Sequence, residues 1–152
     1  MGEEPDIINS NESIVHVVSL FQDRSKNYVF KVTVPEKPAE LFVDKGKIEK
    51  VLKNILNNAV KFSPEGGLIK VAGEITGDNY QVTVEDQGIG MTSEQVNKIF
   101  DKFYRVDTSD TALEGTGLGM SIVKYIVEAH NGKVWVESTS GKGTAVKFTI
   151  PL

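Results

Sequence analysis

The chain has 152 residues, and its 17 Lys+Arg against 21 Asp+Glu give a formal net charge of −4. This is the size of one ordinary domain, long enough to bury a core without staples. The lack of cysteine excludes disulfides, thiolate zinc sites and cysteine nucleophiles, the two histidines argue against a histidine-based metal site, and the acidic balance argues against generic nucleic-acid binding.

Residues 1–10 are polar and read as a disordered or artificial lead, which leaves 11–152 as one folded domain. No run of about 18 apolar residues reads as a membrane span, and no signal peptide opens the chain. Over 11–26, Ile14, Val15, Val17, Val18, Leu20 and Phe21 fit a helix. Residues 28–34 alternate as a strand, and Pro35 and Pro38 end it. Residues 41–43 form a strand stub. Asp44 then N-caps a helix to about Phe62, stopped by Ser63-Pro64. Strands over 68–75 and 80–86 flank the turn Gly77-Asp78-Asn79. A short helix starts at Thr92, where Gln95 completes a capping box. A helix over 118–130 is closed by Asn131-Gly132. Final strands over 133–138 and 144–151 flank Gly141-Lys142-Gly143. No internal repeat or linker interrupts the chain. Hairpins mixed with helical crossovers predict an α+β fold, a two-layer sandwich with one mixed sheet covered by helices on one face.

Three features depart from ordinary patterning. In the helix after Asp44, Ile48, Val51, Leu52, Ile55, Leu56 and Ala59 recur at helical spacing and form a buried face. At about 100° per residue, Lys50, Asn54, Asn57, Asn58 and Lys61 fall on another stripe, with Asn58 at its border. Asparagine is a poor helix-interior residue, because its amide competes for backbone hydrogen bonds. The stripe is either a solvated face or a row of amides and ammonium groups aimed at phosphates and Mg2+. Residues 44–62 hold five lysines against two acids, which suits phosphate.

Val82, Val84 and Asp86 share one strand face, so a carboxylate continues an apolar stripe. It is either a strand end that has reached water or an acceptor for an amine such as that of adenine. Thr144 likewise shares a face with Val146, Phe148 and Ile150. The third feature is glycine. Gly88, Ile89 and Gly90 follow Asp86, and Gly115, Thr116, Gly117, Leu118 and Gly119 precede a helix. Glycine permits close backbone approach, and a helix N-terminus presents free N–H groups to phosphate. Ordinary turns explain such loops equally well. No P-loop pattern occurs, the glycine spacing is not the dinucleotide fingerprint, and the protein-kinase Asp-Phe-Gly and His-Arg-Asp are absent. Phe100, Phe103, Tyr104 and Arg105 adjoin a polar, turn-rich segment. They read as a lid with an apolar anchor or as a satellite cluster under a long loop.

Taken in order over residues 32–152, these pieces resemble the catalytic, ATP-binding domain of sensor histidine kinases. That family lies within the ATPase superfamily of DNA gyrase B subunits, MutL repair proteins and ninety-kilodalton heat-shock chaperones. The asparagine box is Asn54-Ile55-Leu56-Asn57-Asn58-Ala59-Val60-Lys61-Phe62, and the first glycine box is Asp86-Gln87-Gly88-Ile89-Gly90. The phenylalanine box is Phe100-Asp101-Lys102-Phe103-Tyr104-Arg105. The second glycine box is Gly115-Thr116-Gly117-Leu118-Gly119, and Gly141-Lys142-Gly143-Thr144 closes the set.

The resemblance implies a Bergerat ATP-binding fold, with ATP between the helical layer and a lid. It implies Asn58 as the Mg2+ ligand, with Asn54 and Lys61 near the metal and phosphates. Asp86 would bind the adenine amine, supported by Thr144 and a water, with Gly88, Ile89 and Gly90 close to the base. Phe62 and Tyr104 would lie beside the nucleotide. Gly115, Thr116, Gly117, Leu118 and Gly119 would serve the phosphates, and Arg105 would reach the γ-phosphate. Hydrolysing members of the superfamily carry a glutamate four residues before the metal asparagine, where this chain has Asn54. An amide cannot act as a general base, so the site should hold ATP for transfer rather than spend it on water.

The expected function is transfer of the γ-phosphoryl group of Mg-ATP to a histidine on a dimerisation domain missing from this chain. A response regulator would be the next partner in this two-component phosphorelay. His16, in Ile-Val-His-Val-Val, and His130, in Ala-His-Asn-Gly, do not fit the acceptor pattern and read as structural. The isolated domain is expected to be monomeric and cytoplasmic, and its parent a homodimer that is free to be membrane-anchored. The alternatives are a stand-alone serine kinase acting as an anti-sigma regulator of the same fold, and an ATP-sensing module without transfer. The phenylalanine box and long lid favour the histidine-kinase branch.

Overall fold

The computed structural model describes residues 5–24, 27–102 and 119–152. In chain order the elements are β1 (Asp6–Asn9), α1 (Ser10–Arg24), β2 (Tyr28–Thr33), β3 (Glu40–Val43), α2 (Lys45–Lys61), β4 (Gly67–Thr76), β5 (Asn79–Asp86), α3 (Ser93–Lys98), α4 (Gly119–Ala129), β6 (Lys133–Thr139) and β7 (Gly143–Pro151). Five strands form one sheet in the order β2-β4-β5-β7-β6. β2 and β4 pair in parallel, and the other neighbours are antiparallel. A parallel pair needs a crossover, and α2 lies in the segment that makes it.

The sheet alternates cleanly. Tyr80, Val82, Val84 and Asp86 of β5 are buried, as are Thr144, Val146, Phe148 and Ile150 of β7. On this face α1 packs over β2 and β4, α2 over β5, and α4 over β6 and β7. α2 contacts both α1 and α4. All six apolar positions expected on α2 are buried. Each of the larger side chains among them contributes about 1.5–3 kcal/mol when fully buried, so tertiary packing rather than propensity holds the helix. On the opposite face an ion pair at 3.1 Å joins Lys147 and Glu137. This is the two-layer sandwich expected from the sequence.

Two expectations are corrected. Residues 6–9 are not frayed, because β1 pairs antiparallel with β3, placing Ile7 opposite Phe42. The stub at 41–43 therefore belongs to a separate two-stranded sheet and not to the main one. Local polarity conceals this, since each strand gains its partner from a distant segment. Helix α1 also starts earlier than expected, because Asn9 Oδ1 accepts the N–H groups of Asn11 and Glu12 at 2.9 and 3.1 Å.

The other caps follow the sequence. Asp44 Oδ1 accepts Lys47 N–H at 3.2 Å, and Thr92 and Gln95 form a reciprocal capping box. Asn131 adopts φ 64°, and Gly132 N–H reaches back to the Val127 carbonyl at 2.9 Å, ending α4. His130 joins two helices. Its Nε2 accepts Asp44 N–H at 3.2 Å, so Nδ1 carries the proton and donates to the Ile126 carbonyl at 2.8 Å. The C-terminal end of α4 is thereby tied to the N-terminal end of α2.

Candidate functional site

The β5–β7 register sets Asp86 directly opposite Thr144, and the β6–β7 register sets Thr144 opposite Ser138. Asp86 and Thr144 are each only 4% exposed, so the carboxylate has not escaped to water at the strand end. Asp86 Oδ1 accepts Gly88 N–H at 2.9 Å. Burial pushes its carboxyl up to about 6, against the opposing pull of the Gly88 and Thr144 backbone N–H groups. It remains a buried acid with acceptor capacity to spare.

Helix α2 supplies the facing wall. Asn58 lines a narrow cleft together with Phe62, Asp86, Met91, Met120 and Thr144. Asn54 lies one turn earlier, beside the start of α4: a Cβ placed on Gly119 would sit 3.6 Å from Asn54 Oδ1. Asn54 Nδ2 is buried without a hydrogen-bond partner. Asn54, Asn58 and Lys61 are half-buried, whereas Lys50 and Asn57 of the same stripe are exposed. The polar stripe therefore divides into a half-buried side, from which Asn58 reaches the cleft, and a solvent side.

The first glycine box is locked to its surroundings by close backbone contacts. A Cβ on Gly88 would collide with the Phe62 carbonyl, and one on Gly90, at φ 68°, with the Thr139 carbonyl. Ile89 donates its N–H to Phe62 at 2.9 Å and accepts from Gly141 at 2.7 Å. The approach that these glycines permit is thus to the protein's own backbone. Phe62, 3% exposed, ends α2 and lines the cleft. Ser138 was not singled out from the sequence. The signal was present, because Ser138 follows Val134 and Val136 on one strand face as Asp86 follows Val82 and Val84.

Phe103, Tyr104, Arg105, Gly115, Thr116, Gly117 and Leu118 lie outside the described residues; Gly119 is the first residue of α4. The polar groups around the described cleft have the chemistry a nucleotide needs. Its Asp86–Thr144 end complements an amine, and one turn before Asn58 the unpartnered amide nitrogen of Asn54 lies beside the N-terminus of α4, an end suited to phosphate. Among the described residues no group of three His, Cys, Asp or Glu side chains could hold a metal, so a cation here would draw most of its ligands from phosphate and water. No helix among them is long and apolar enough to cross a membrane.

Residues 43–152 match the family model described as histidine kinase-, DNA gyrase B-, and HSP90-like ATPase. Sensor histidine kinase WalK of Bacillus subtilis (strain 168) is 40% identical over 146 residues, covering 91% of this chain and 24% of that protein. The chain thus spans about a quarter of the length of the curated relatives it resembles. The solved catalytic domain of histidine kinase ThkA superposes with a TM-score of 0.85 at 33% identity, covering 98% of this chain and 96% of that one. ThkA in complex with the response regulator protein TrrA matches with a TM-score of 0.80 at 30% identity, covering 97% of this chain and 41% of that one. The chain belongs to the histidine kinase-, DNA gyrase B- and HSP90-like ATPase family, and within it to the catalytic domains of sensor histidine kinases.

Proposed function

We propose that this domain binds Mg-ATP in the cleft between α2, α4 and the β5–β7 ladder, and donates the γ-phosphoryl group to a histidine outside these 152 residues. The observation that carries the reading is the pairing of Asp86 with Thr144 at one end of a cleft that has Asn58 on its facing wall. Asp86 and Thr144 hold the adenine amine. Asn58 offers an amide oxygen to the metal, and Asn54 and Lys61 stand a turn away on either side. Bound Mg2+ supplies charge neutralisation at the phosphates. The chain's own groups position the nucleotide, and Asn54 offers a donor but no base for activating water. The resemblance would add Arg105 for the γ-phosphate, Tyr104 for the nucleotide and 115–118 for the phosphates, all outside the described residues.

An acceptor in trans is supported by the two histidines. Both ring nitrogens of His130 are engaged, and His16 is exposed on α1, with α2 between that helix and α4. The response regulator, a dimeric parent and a cytoplasmic location belong to the same proposal. So does the freedom of the parent to be membrane-anchored.

The test mixes the chain with γ-labelled ATP and a helical dimerisation domain bearing a candidate acceptor histidine. Acid-labile label on that domain is the expected result. Acid-stable label on a serine would favour the serine-kinase alternative, and nucleotide binding with no transfer to any acceptor would favour an ATP sensor. Asn58→Ala should abolish the Mg2+ dependence of ADP binding in calorimetry, and an unchanged dependence would remove Asn58 as ligand.

A further inference from the structure

We infer that Ser138 is a specificity-determining positioning residue: it fixes the Thr144 hydroxyl as an acceptor, so that the cleft selects purines with an exocyclic amine over those with a carbonyl in its place. The inference rests on the adenine reading above and extends it.

Ser138 Oγ makes three short contacts. It accepts Met91 N–H at 2.8 Å, and it lies 2.8 Å from the Gly143 carbonyl oxygen and 2.8 Å from Thr144 Oγ1. A serine hydroxyl has one proton to donate. The Gly143 carbonyl can only accept, so it receives that proton. The remaining oxygen–oxygen contact is then attractive only if Thr144 donates its own proton to Ser138. In this arrangement Ser138 is fully satisfied, and Thr144 offers only lone pairs to the cleft.

Asp86, across the ladder, is likewise an acceptor when ionised. An acceptor-only end complements the amine of adenine and opposes the exocyclic oxygen of hypoxanthine or guanine, where lone pairs would meet lone pairs. A water donating to both Asp86 and Thr144 would pass on the same polarity, because both of its protons would be used. The Met91 contact also ties the loop after Gly90 to β6, which keeps the hydroxyl pair in register with Asp86.

Calorimetric binding of ADP and inosine diphosphate to the full chain tests the inference. The unmodified chain should prefer ADP. Ser138→Ala frees Thr144 to turn its proton toward a carbonyl, and the ratio of the two affinities should fall about tenfold or more. Ser138→Thr retains the hydroxyl and should retain the ratio. A merely structural role would weaken both nucleotides together, and an unchanged ratio in Ser138→Ala overturns the inference. If that variant fails to fold, Thr144→Val removes the acceptor itself, and an unchanged ratio there overturns the inference equally. An unmodified chain without preference for ADP, or an Asp86→Asn variant with full ADP affinity, instead brings down the adenine reading.

Discussion

Two rungs of the β5–β7 ladder share one face of one sheet and have opposite fates. Val82 faces Phe148, and four residues further along β5 Asp86 faces Thr144. All four residues are nearly inaccessible, so burial does not distinguish core from site. Chemistry does. The first rung is closed by Ile14 of α1 and by Ile48 and Leu52 of α2, apolar against apolar. The second places a carboxylate and a hydroxyl in an equally dry position, with acceptor capacity that the protein itself leaves unused. A buried polar rung is costly without a partner, and here it lines a cleft.

The largest expected effect breaks the apolar rung. Phe148→Ala should cost about 3–5 kcal/mol of stability in chemical denaturation. ADP affinity of the folded protein should remain near that of the unmodified chain. A loss of affinity as large as that from Asp86→Asn would erase the distinction between the rungs.

Asp86→Asn should do the reverse. ADP binding should weaken by about 2–3 kcal/mol, because a charged acceptor is lost from a buried site. Stability at neutral pH should hold or rise. The folded carboxyl titrates near 6, above its ordinary value of 3.8, so the folded state holds this proton more tightly than the unfolded chain does. Its contribution to stability is therefore full below about 4 and is lost as pH rises through about 6. The stability gap between the Asn variant and the unmodified chain should widen across that window and then level off. ADP affinity of the unmodified chain should fall as pH drops below about 6, and that of the variant should stay flat. A matching pH slope in both chains would move the titration to another group.

The smallest expected effect is at His130, a polar group whose hydrogen-bonding capacity is fully used. His130→Ala leaves Asp44 N–H without its partner and should lower stability by about 1–2 kcal/mol. Nucleotide affinity should change little. An unchanged melting temperature would show that water replaces the clasp at no cost.

Much of this molecule is legible along the chain because its periods are local. The two faces of α2, the alternation of β5 and β7, and the caps at Asp44 and Thr92 follow from spacing and side-chain chemistry. So do the polar intrusions at Asp86 and Thr144, since a two-residue period places them on an apolar stripe. The sequence set Asn58 at the border of its polar stripe but left Asn54 and Asn57 together on it. Only the packing of α4 against α2 decides which part of that stripe is half-buried and which is solvent face. Nor could it pair β1 with β3, join His130 to Asp44, or set Ser138 beside Thr144. Each of these partnerships links separate elements, and the nearest in sequence still needs a strand register. Residue type and period determine which groups are available along the chain, whereas the fold determines which of them meet and which way a shared proton points.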